Sequence, residues 1–317
     1  MTDASLPRVM ADGPLAPIVL EMLADEVEWL PWDAEGSTIR NDVAAIYTYG
    51  HPRVDGPLLD RFPKLRVVSN YGVGVDHIDL RAAAERKIPV GNTPGILDGA
   101  TADMGFALLL SAARRVVTGD RYARSPEFLR YDPGYMLGRE VHSSTLGIIG
   151  MGRIGRQVAR RGLGFDMRVR YYNRNRRPEV EAELGVTYAS LEGLLRTSDY
   201  VMLCCPLTDE TRGIINRETL KLMKPTAILV NIARGPVVDT DALTEALTEN
   251  RIAHAGLDVT DPEPLPRGHP LLALENVTIV PHLGSATHET RRRMAELSVD
   301  NLRAGLAGKP LPHEIRA

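Results

Sequence analysis

The sequence predicts an α/β fold in two domains, and three observations carry that reading. Short apolar runs alternate with longer amphipathic stretches almost from end to end, as strands feeding crossover helices into parallel sheets do. The chain has 317 residues, enough for two domains at roughly 150 residues each, and each half is large enough to bury its own core. Its composition, 44% hydrophobic and 25% charged with a formal net charge of −3, is that of an ordinary soluble protein and excludes disordered, collagen-like and coiled-coil classes.

In the first third the expected strands are Arg8–Met10, Val27–Leu30, Ala44–Tyr47, Leu65–Ser69 and Pro89–Gly91, with helix-compatible segments at Leu58–Phe62 and Ile78–Lys87. Ala102–Val117 reads as one long, mostly apolar helix, and Thr145–Gly150 as a strand apolar enough to be buried on both faces. That strand opens a second α/β unit. Its further strands are Met167–Tyr172, Tyr200–Cys205, Ala227–Ala233, His254–Val259 and Val277–Val280. Thr240–Glu249 is an intervening helix with Thr240 or Asp241 as N-cap. Ser285–Gly305 is a charged amphipathic helix, too polar to found a third core and therefore expected to pack back onto an existing domain.

Cys204 and Cys205 are adjacent in an apolar run and cannot staple separate parts of the fold, which points to a reducing, cytoplasmic setting. Met1–Met10 is interrupted by Asp3, Pro7 and Arg8, and no apolar run approaches the roughly 20 residues that span a bilayer. A net charge near zero offers no whole-protein attraction to nucleic acid or to an anionic membrane. The eight histidines show no metal-ligand spacing, and neither a Gly-x-Ser-x-Gly elbow nor a P-loop lysine is present.

Gly150-Met151-Gly152-Arg153-Ile154-Gly155 is a G-x-G-x-x-G turn between a buried strand, Leu146–Ile149, and a helix, Arg153–Gly162, the context that a dinucleotide fingerprint demands. Gly150 permits the tight turn, Gly152 lets backbone approach a pyrophosphate, and Gly155 lets helix and strand pack closely. The anion would rest on the helix N-terminus, where unpaired N–H groups and the macrodipole favour it. About 20 residues on, where an NAD site carries an acid for the ribose 2′-hydroxyl, the next strand ends in Asn173-Arg174-Asn175-Arg176-Arg177. Asn173 suits a ribose or phosphate oxygen, and Arg174 and Arg176 offer guanidinium forks for a 2′-phosphate. The structural alternative is a solvated basic turn. The expected cofactor is NADPH, with NADH accepted less readily. Arg168–Arg177 holds five arginines and no acid, a local cationic site hidden in the near-neutral total.

Arg234, Glu263 and His282 each follow an apolar strand, and C-terminal strand edges are where open α/β sheets bind ligands. Reversible reduction of a ketone needs a hydride donor, a proton donor that works near neutrality and a cation for the substrate's anionic end. A histidine supported by a glutamate, together with an arginine, supplies the last two.

From about Val43 to Leu311 the chain resembles the D-isomer-specific 2-hydroxyacid dehydrogenases. The carriers, in order, are NYGVGVDHIDL at 70–80, NTPGILDGATAD at 92–103, LGIIGMGRIG at 146–155, NIARGPVVD at 231–239, AGLDVTDPEPLP at 255–266 and VPHLGSATHETR at 280–291. The closing run of DPEPLP, HPLL, PHLGSATHETR and NLRAGLAGKPLP is most like glyoxylate/hydroxypyruvate reductases, and the Asn-Arg-x-Arg turn is similar to that of their NADPH-dependent members.

The resemblance implies a Rossmann-type dinucleotide-binding domain at 99–285 inserted into a flavodoxin-like substrate domain formed by 1–98 and 286–317. It implies reduction of a small 2-oxo acid, glyoxylate or hydroxypyruvate, to the D-2-hydroxy acid, by a homodimer built through the cofactor domain. Arg234 would hold the 2-oxo-carboxylate and polarise its carbonyl, His282 would deliver the proton, and Glu263 would hydrogen-bond and orient His282. The backbone N–H groups of Val73 and Gly74 would receive the substrate carboxylate. Thr101, Cys205, Pro206, Ala233, Asp258, His282 and Gly284 match positions that line the cofactor, with Asp258 accepting from the nicotinamide carboxamide or merely capping its strand. Tyr131 and Tyr135 lie where related enzymes carry aromatics near the neighbouring subunit's site, and core or interface packing explains them equally.

Three other readings share these motifs. Formate dehydrogenases use glutamine where Glu263 stands. Dehydrogenase-like corepressors keep the triad, but this sequence shows no low-complexity tails for partner recruitment. Phenylpyruvate-type reductases share them too, and the substrate's side chain would be read by pocket loops such as Ile46–His51.

Overall fold

The computed structural model describes residues 6–33 and 35–316. It divides into two compact units, one made of the described residues through Leu97 and from Thr287 on, the other of Asp98–Ala286. The first unit opens with β1 (Arg8–Ala11), α1 (Pro17–Met22), β2 (Glu28–Pro31), β3 (Val43–Thr48), α2 (Gly56–Asp60), β4 (Val67–Asn70), α3 (Leu80–Glu85) and β5 (Val90–Gly91). β4 is buried throughout and β3 at all but one residue, as parallel strands covered on both faces are. The helix expected at Leu58–Phe62 begins two residues earlier, because Asp55 caps it by accepting the Leu58 N–H and Pro57 sits in its first turn.

The second unit contains α4 (Asp98–Arg114), α5 (Val116–Ala123), β6 (Thr145–Ile149), α6 (Arg153–Gly164), β7 (Arg168–Tyr172), α7 (Pro178–Leu184), β8 (Thr187–Tyr188), α8 (Leu191–Thr197), β9 (Tyr200–Leu203), α9 (Arg217–Leu220), β10 (Ile228–Asn231), α10 (Thr240–Thr248), β11 (His254–Leu257) and β12 (Val277–Ile279). Its strands are all parallel, in the order β12-β11-β10-β9-β6-β7-β8. Counted from β6, this is the doubly wound Rossmann order with one strand added, and the chain reverses direction across the sheet between β6 and β9. The apolar runs outlast the ladders. Gly150, Cys204–Cys205, Ile232–Ala233, Asp258–Val259 and Val280 lie just past the last paired residues, at the edge where ligands bind in such sheets.

Two expectations about helices are corrected. The single helix expected over Ala102–Val117 is two, because Arg115 takes φ 54° and ψ 36° and interrupts the ladder between α4 and α5; a left-handed residue of this kind costs about 1–2 kcal/mol. The cap of α10 is Asp239, whose carboxylate accepts the Ala242 N–H at 2.9 Å, rather than Thr240 or Asp241. The Thr240 hydroxyl instead donates to the Asp261 carbonyl at 2.8 Å.

His254 opens β11 inside the core, 9% exposed, with Nε2 3.2 Å from the Thr278 hydroxyl. Burial, with Arg115 nearby, pushes its pKa down to about 4 from 6.5. The unfolded chain therefore binds this proton more tightly, and stability falls as pH drops from about 6.5 towards 4. Between pH 7 and pH 5 the expected loss is about 2 kcal/mol. Urea midpoints at the two pH values measure it, and His254→Gln should remove most of the difference.

The chain then returns to the first unit as α11 (His288–Leu306) and β13 (Glu314–Ile315). The polar-looking α11 lays a narrow face, Met294, Ala295, Val299 and Leu302, onto β3 and β4. Buried Ser298 joins it there, its carbonyl accepting from the Ser69 hydroxyl and its own hydroxyl 2.7 Å from the Tyr47 hydroxyl. β13 pairs antiparallel with β5, giving the order β13-β5-β4-β3-β1-β2. Without β13 this is the flavodoxin-like order. Among the described residues no helix is long and apolar enough to cross a membrane.

Candidate active site

At the end of β6, Gly150 takes φ +102°, and a Cβ there would lie 2.5 Å from the Cys205 nitrogen. No other residue tolerates both the angle and the contact. A Cβ on Gly155 would collide with the Gly150 carbonyl oxygen, so α6 packs against the turn only with glycine there. Gly152 caps α6, with Arg153 and Ile154 opening the first turn, and no side chain among the described residues caps it. The space a Gly152 Cβ would take has no atom within 4 Å. Uncapped N–H groups, no acid in the first turn and an open approach at Gly152 fit a dinucleotide pyrophosphate.

Asn173, at the end of β7, turns its amide to this loop: the Met151 N–H donates to its Oδ1 at 3.3 Å, and its Nδ2 donates to the Asn175 carbonyl at 2.9 Å. The arginines beyond it are less available than the sequence suggests, because acids arrive from elsewhere. Arg176 is clamped by Glu181 of α7 through two hydrogen bonds of 2.8 and 2.7 Å. Arg176, with the Tyr171 hydroxyl, holds the Glu181 carboxyl down at about 2. Arg174 has a looser contact, 3.7 Å from Glu210, and its side chain is 77% exposed. Of the two expected guanidinium forks, Arg174 is therefore the less tightly held.

Arg234, Glu263 and His282 come from the loops after β10, β11 and β12, three adjacent strands. The Asn231 side chain fixes the Arg234 loop, accepting the Ala233 N–H at 3.0 Å and donating to the Arg234 carbonyl at 2.9 Å. Gly235 follows because a Cβ there would collide with the Thr260 carbonyl. The half-buried Arg234 returns Nη1 to the Ala233 carbonyl at 2.9 Å. Glu263 and His282 meet directly, Oε1 to Nδ1 at 2.8 Å, with both side chains partly exposed.

Asp258, 2% exposed, braces the histidine loop. Its two carboxylate oxygens accept the N–H groups of Leu283 at 2.6 Å and Gly284 at 2.9 Å, and its carbonyl accepts the His282 N–H at 2.9 Å. His282 is thereby held at φ 55°. Burial pushes the Asp258 carboxyl up, against those hydrogen bonds and the neighbouring His282. A Cβ at Gly284 would lie 2.8 Å from Asp258 Oδ2 and 3.3 Å from Thr101 Cγ2 of α4, so these three residues form one closely packed wall. Buried Ala233 and Cys205 lie at the same strand edge, and burial pushes the Cys205 thiol up to about 11, which keeps it protonated and inert. Pro206, just beyond, is exposed.

Val73 and Gly74 belong to the first unit, in the loop after β4. Asn70 donates to the Gly72 and Gly74 carbonyls at 3.0 and 2.9 Å, and Asn92 to the Val73 carbonyl at 2.9 Å. Asn231, Asn70 and Asn92 were all within the motifs quoted above, but only strand register reveals what their amides hold.

Fold and site together define a dinucleotide-binding α/β protein with a Glu–His pair and an arginine at its strand ends. The profile of the D-isomer specific 2-hydroxyacid dehydrogenase NAD-binding domain matches residues 106–284. The chain belongs to the D-isomer specific 2-hydroxyacid dehydrogenase family. It is 48% identical to a glyoxylate reductase of Pyrococcus furiosus across 96% of this chain and 94% of that protein. Among solved structures, the TT0316 protein of Thermus thermophilus is similar at TM-score 0.88 and 46% identity, over 97% of this chain and 99% of that one. An NADPH-dependent glyoxylate/hydroxypyruvate reductase of Sinorhizobium meliloti, solved with NADP and malonate, is similar at TM-score 0.88 and 34% identity, over 98% and 97%.

Proposed function

We propose that this chain is an NADPH-dependent reductase of small 2-oxo acids, converting glyoxylate to glycolate and hydroxypyruvate to D-glycerate. The observation that carries the reading is the 2.8 Å Glu263–His282 pair at the ligand-binding edge of a sheet that also bears the glycine fingerprint. The glyoxylate reductase relatives support the substrate class. The cofactor, when bound, supplies the hydride. Gly150, Gly152, Arg153, Ile154 and Gly155 would hold its pyrophosphate, Asn173 and Arg174 its ribose and 2′-phosphate, and Thr101, Cys205, Pro206, Ala233, Asp258 and Gly284 the remainder.

Arg234 pairs with the substrate carboxylate and draws charge onto the carbonyl oxygen. His282 keeps its Nδ1 proton on Glu263 and transfers the Nε2 proton to that oxygen, leaving a neutral ring already in the right tautomer. The N–H groups of Val73 and Gly74 receive the carboxylate. The active species is a homodimer. Phe128, Leu129, Tyr131, Tyr135 and Leu137, all exposed between α5 and β6, support a second copy covering this apolar surface. Two free cysteines suit a reducing cytoplasm.

A panel of 2-oxo acids with NADPH tests the substrate class. Glyoxylate and hydroxypyruvate should give the highest kcat/KM, and a preference for phenylpyruvate would overturn the assignment. Arg174→Ala should weaken NADPH about tenfold while sparing NADH, the scale of one charged hydrogen bond. Equal losses for the two cofactors, measured by fluorescence titration, would remove Arg174 from 2′-phosphate recognition.

A further inference from the structure

β4 and β5 lie side by side with Ser69 opposite Gly91, so Asn70 and Asn92 occupy matching positions at adjacent strand ends. Both are buried, at 2% and 6% exposure. The fully buried Thr48 donates its hydroxyl to Asn70 Oδ1 at 2.7 Å, which sets the amide's orientation and directs Nδ2 at the loop. The two Nδ2 hydrogens then match the two carbonyls they meet, Gly72 and Gly74. Asn92 holds the intervening Val73 carbonyl, and the Thr93 N–H reinforces Gly72 at 3.0 Å. Asn92 is itself fixed: its carbonyl accepts from Asn301 Nδ2 at 3.0 Å, and its N–H donates to the His313 carbonyl at 3.1 Å. Asn301, fully buried on α11, also accepts the His313 N–H at 3.0 Å.

Three successive carbonyls are thus drawn towards buried amides. In a trans peptide the N–H points opposite the preceding C=O. The Val73, Gly74 and Val75 N–H groups therefore point away from the asparagines, a run of donors of the kind that forms anion-binding concavities. Buried amides cost stability unless their polar atoms are satisfied, and Asn70 satisfies both of its own, the nitrogen by fixing one loop's peptide orientation.

We infer that Asn70 and Asn92 are positioning residues for recognition of the substrate carboxylate, acting by holding the Val73 and Gly74 N–H groups outward. The inference rests on the reading that those N–H groups receive the carboxylate. The test is a ratio: kcat/KM for glyoxylate over kcat/KM for its methyl ester, which lacks the anion. A ratio on one preparation is independent of the fraction of active enzyme, so a merely structural defect leaves it unchanged. Asn70→Ala is expected to lower the ratio about tenfold, with NADPH affinity unaltered, and Asn92→Ser to lower it less. Asn92→Ser, which removes only the Val73 contact, carries the test should Asn70→Ala not fold. If wild type shows no preference for the acid, the carboxylate reading of the loop fails; if wild type prefers the acid and both variants keep that preference, the positioning role fails.

Discussion

His282→Ala should lower kcat by about three orders of magnitude, within the usual contribution of a positioned general acid, while NADPH affinity stays close to wild type. The separation follows from geometry. The ring's Nδ1 is held by Glu263 at 2.8 Å, whereas the loop that carries it is set by backbone contacts to Asp258 that do not depend on the imidazole. Removing the ring therefore removes the proposed proton donor and leaves Leu283 and Gly284 where they were. Steady-state turnover and a fluorescence titration of NADPH measure the two quantities independently. Near-normal turnover would take His282 out of the chemistry, and a parallel loss of cofactor affinity would mean that the side chain also shapes the cofactor site.

Arg234→Ala should cost about 100- to 1000-fold in kcat/KM, the scale for removing a donor aimed at a developing oxyanion. The effect should appear in both KM and kcat, because in the proposed mechanism one guanidinium serves the ground-state carboxylate and the charge that grows on the carbonyl oxygen. Arg234→Lys should recover only part of it, since a point charge cannot reproduce the planar fork. The Asn231 clamp and the Gly235 contact hold the loop backbone in both variants, so thermal stability should change little. A variant that binds and turns over like wild type would remove Arg234 from substrate recognition.

The placement of much of the candidate site was legible in the sequence because it rests on a few residue types in fixed contexts. The glycine turn had to follow a buried strand, and Arg234, Glu263 and His282 each had to follow an apolar run. The strands themselves were readable where apolar residues dominate and every residue is buried, as in β6, β9 and β10. β8 and β13 were not, because two residues carry no periodicity and exist only through their neighbours. The break at Arg115 was also hidden, since neither glycine nor proline announces it. Asp239-Thr240-Asp241 offers three residues able to cap, and only the backbone decides among them.

The basic turn shows a different limit. Five arginines without an acid over Arg168–Arg177 is a correct count of that stretch, but charge balance is made in space. Glu181 and Glu210 both lie outside it, and they bind Arg176 and approach Arg174. The roles of Asn70, Asn92 and Asn231 were invisible for a related reason: an asparagine in a motif states no partner until register brings carbonyls within reach of its amide.

The most direct measurement is reduction of hydroxypyruvate by the wild-type enzyme, with NADPH consumption followed by its absorbance and the product resolved by configuration. One D-glycerate should form for each NADPH consumed, at a higher kcat/KM than with NADH. Formation of L-glycerate, or no NADPH consumption with either hydroxypyruvate or glyoxylate, would contradict the proposed function.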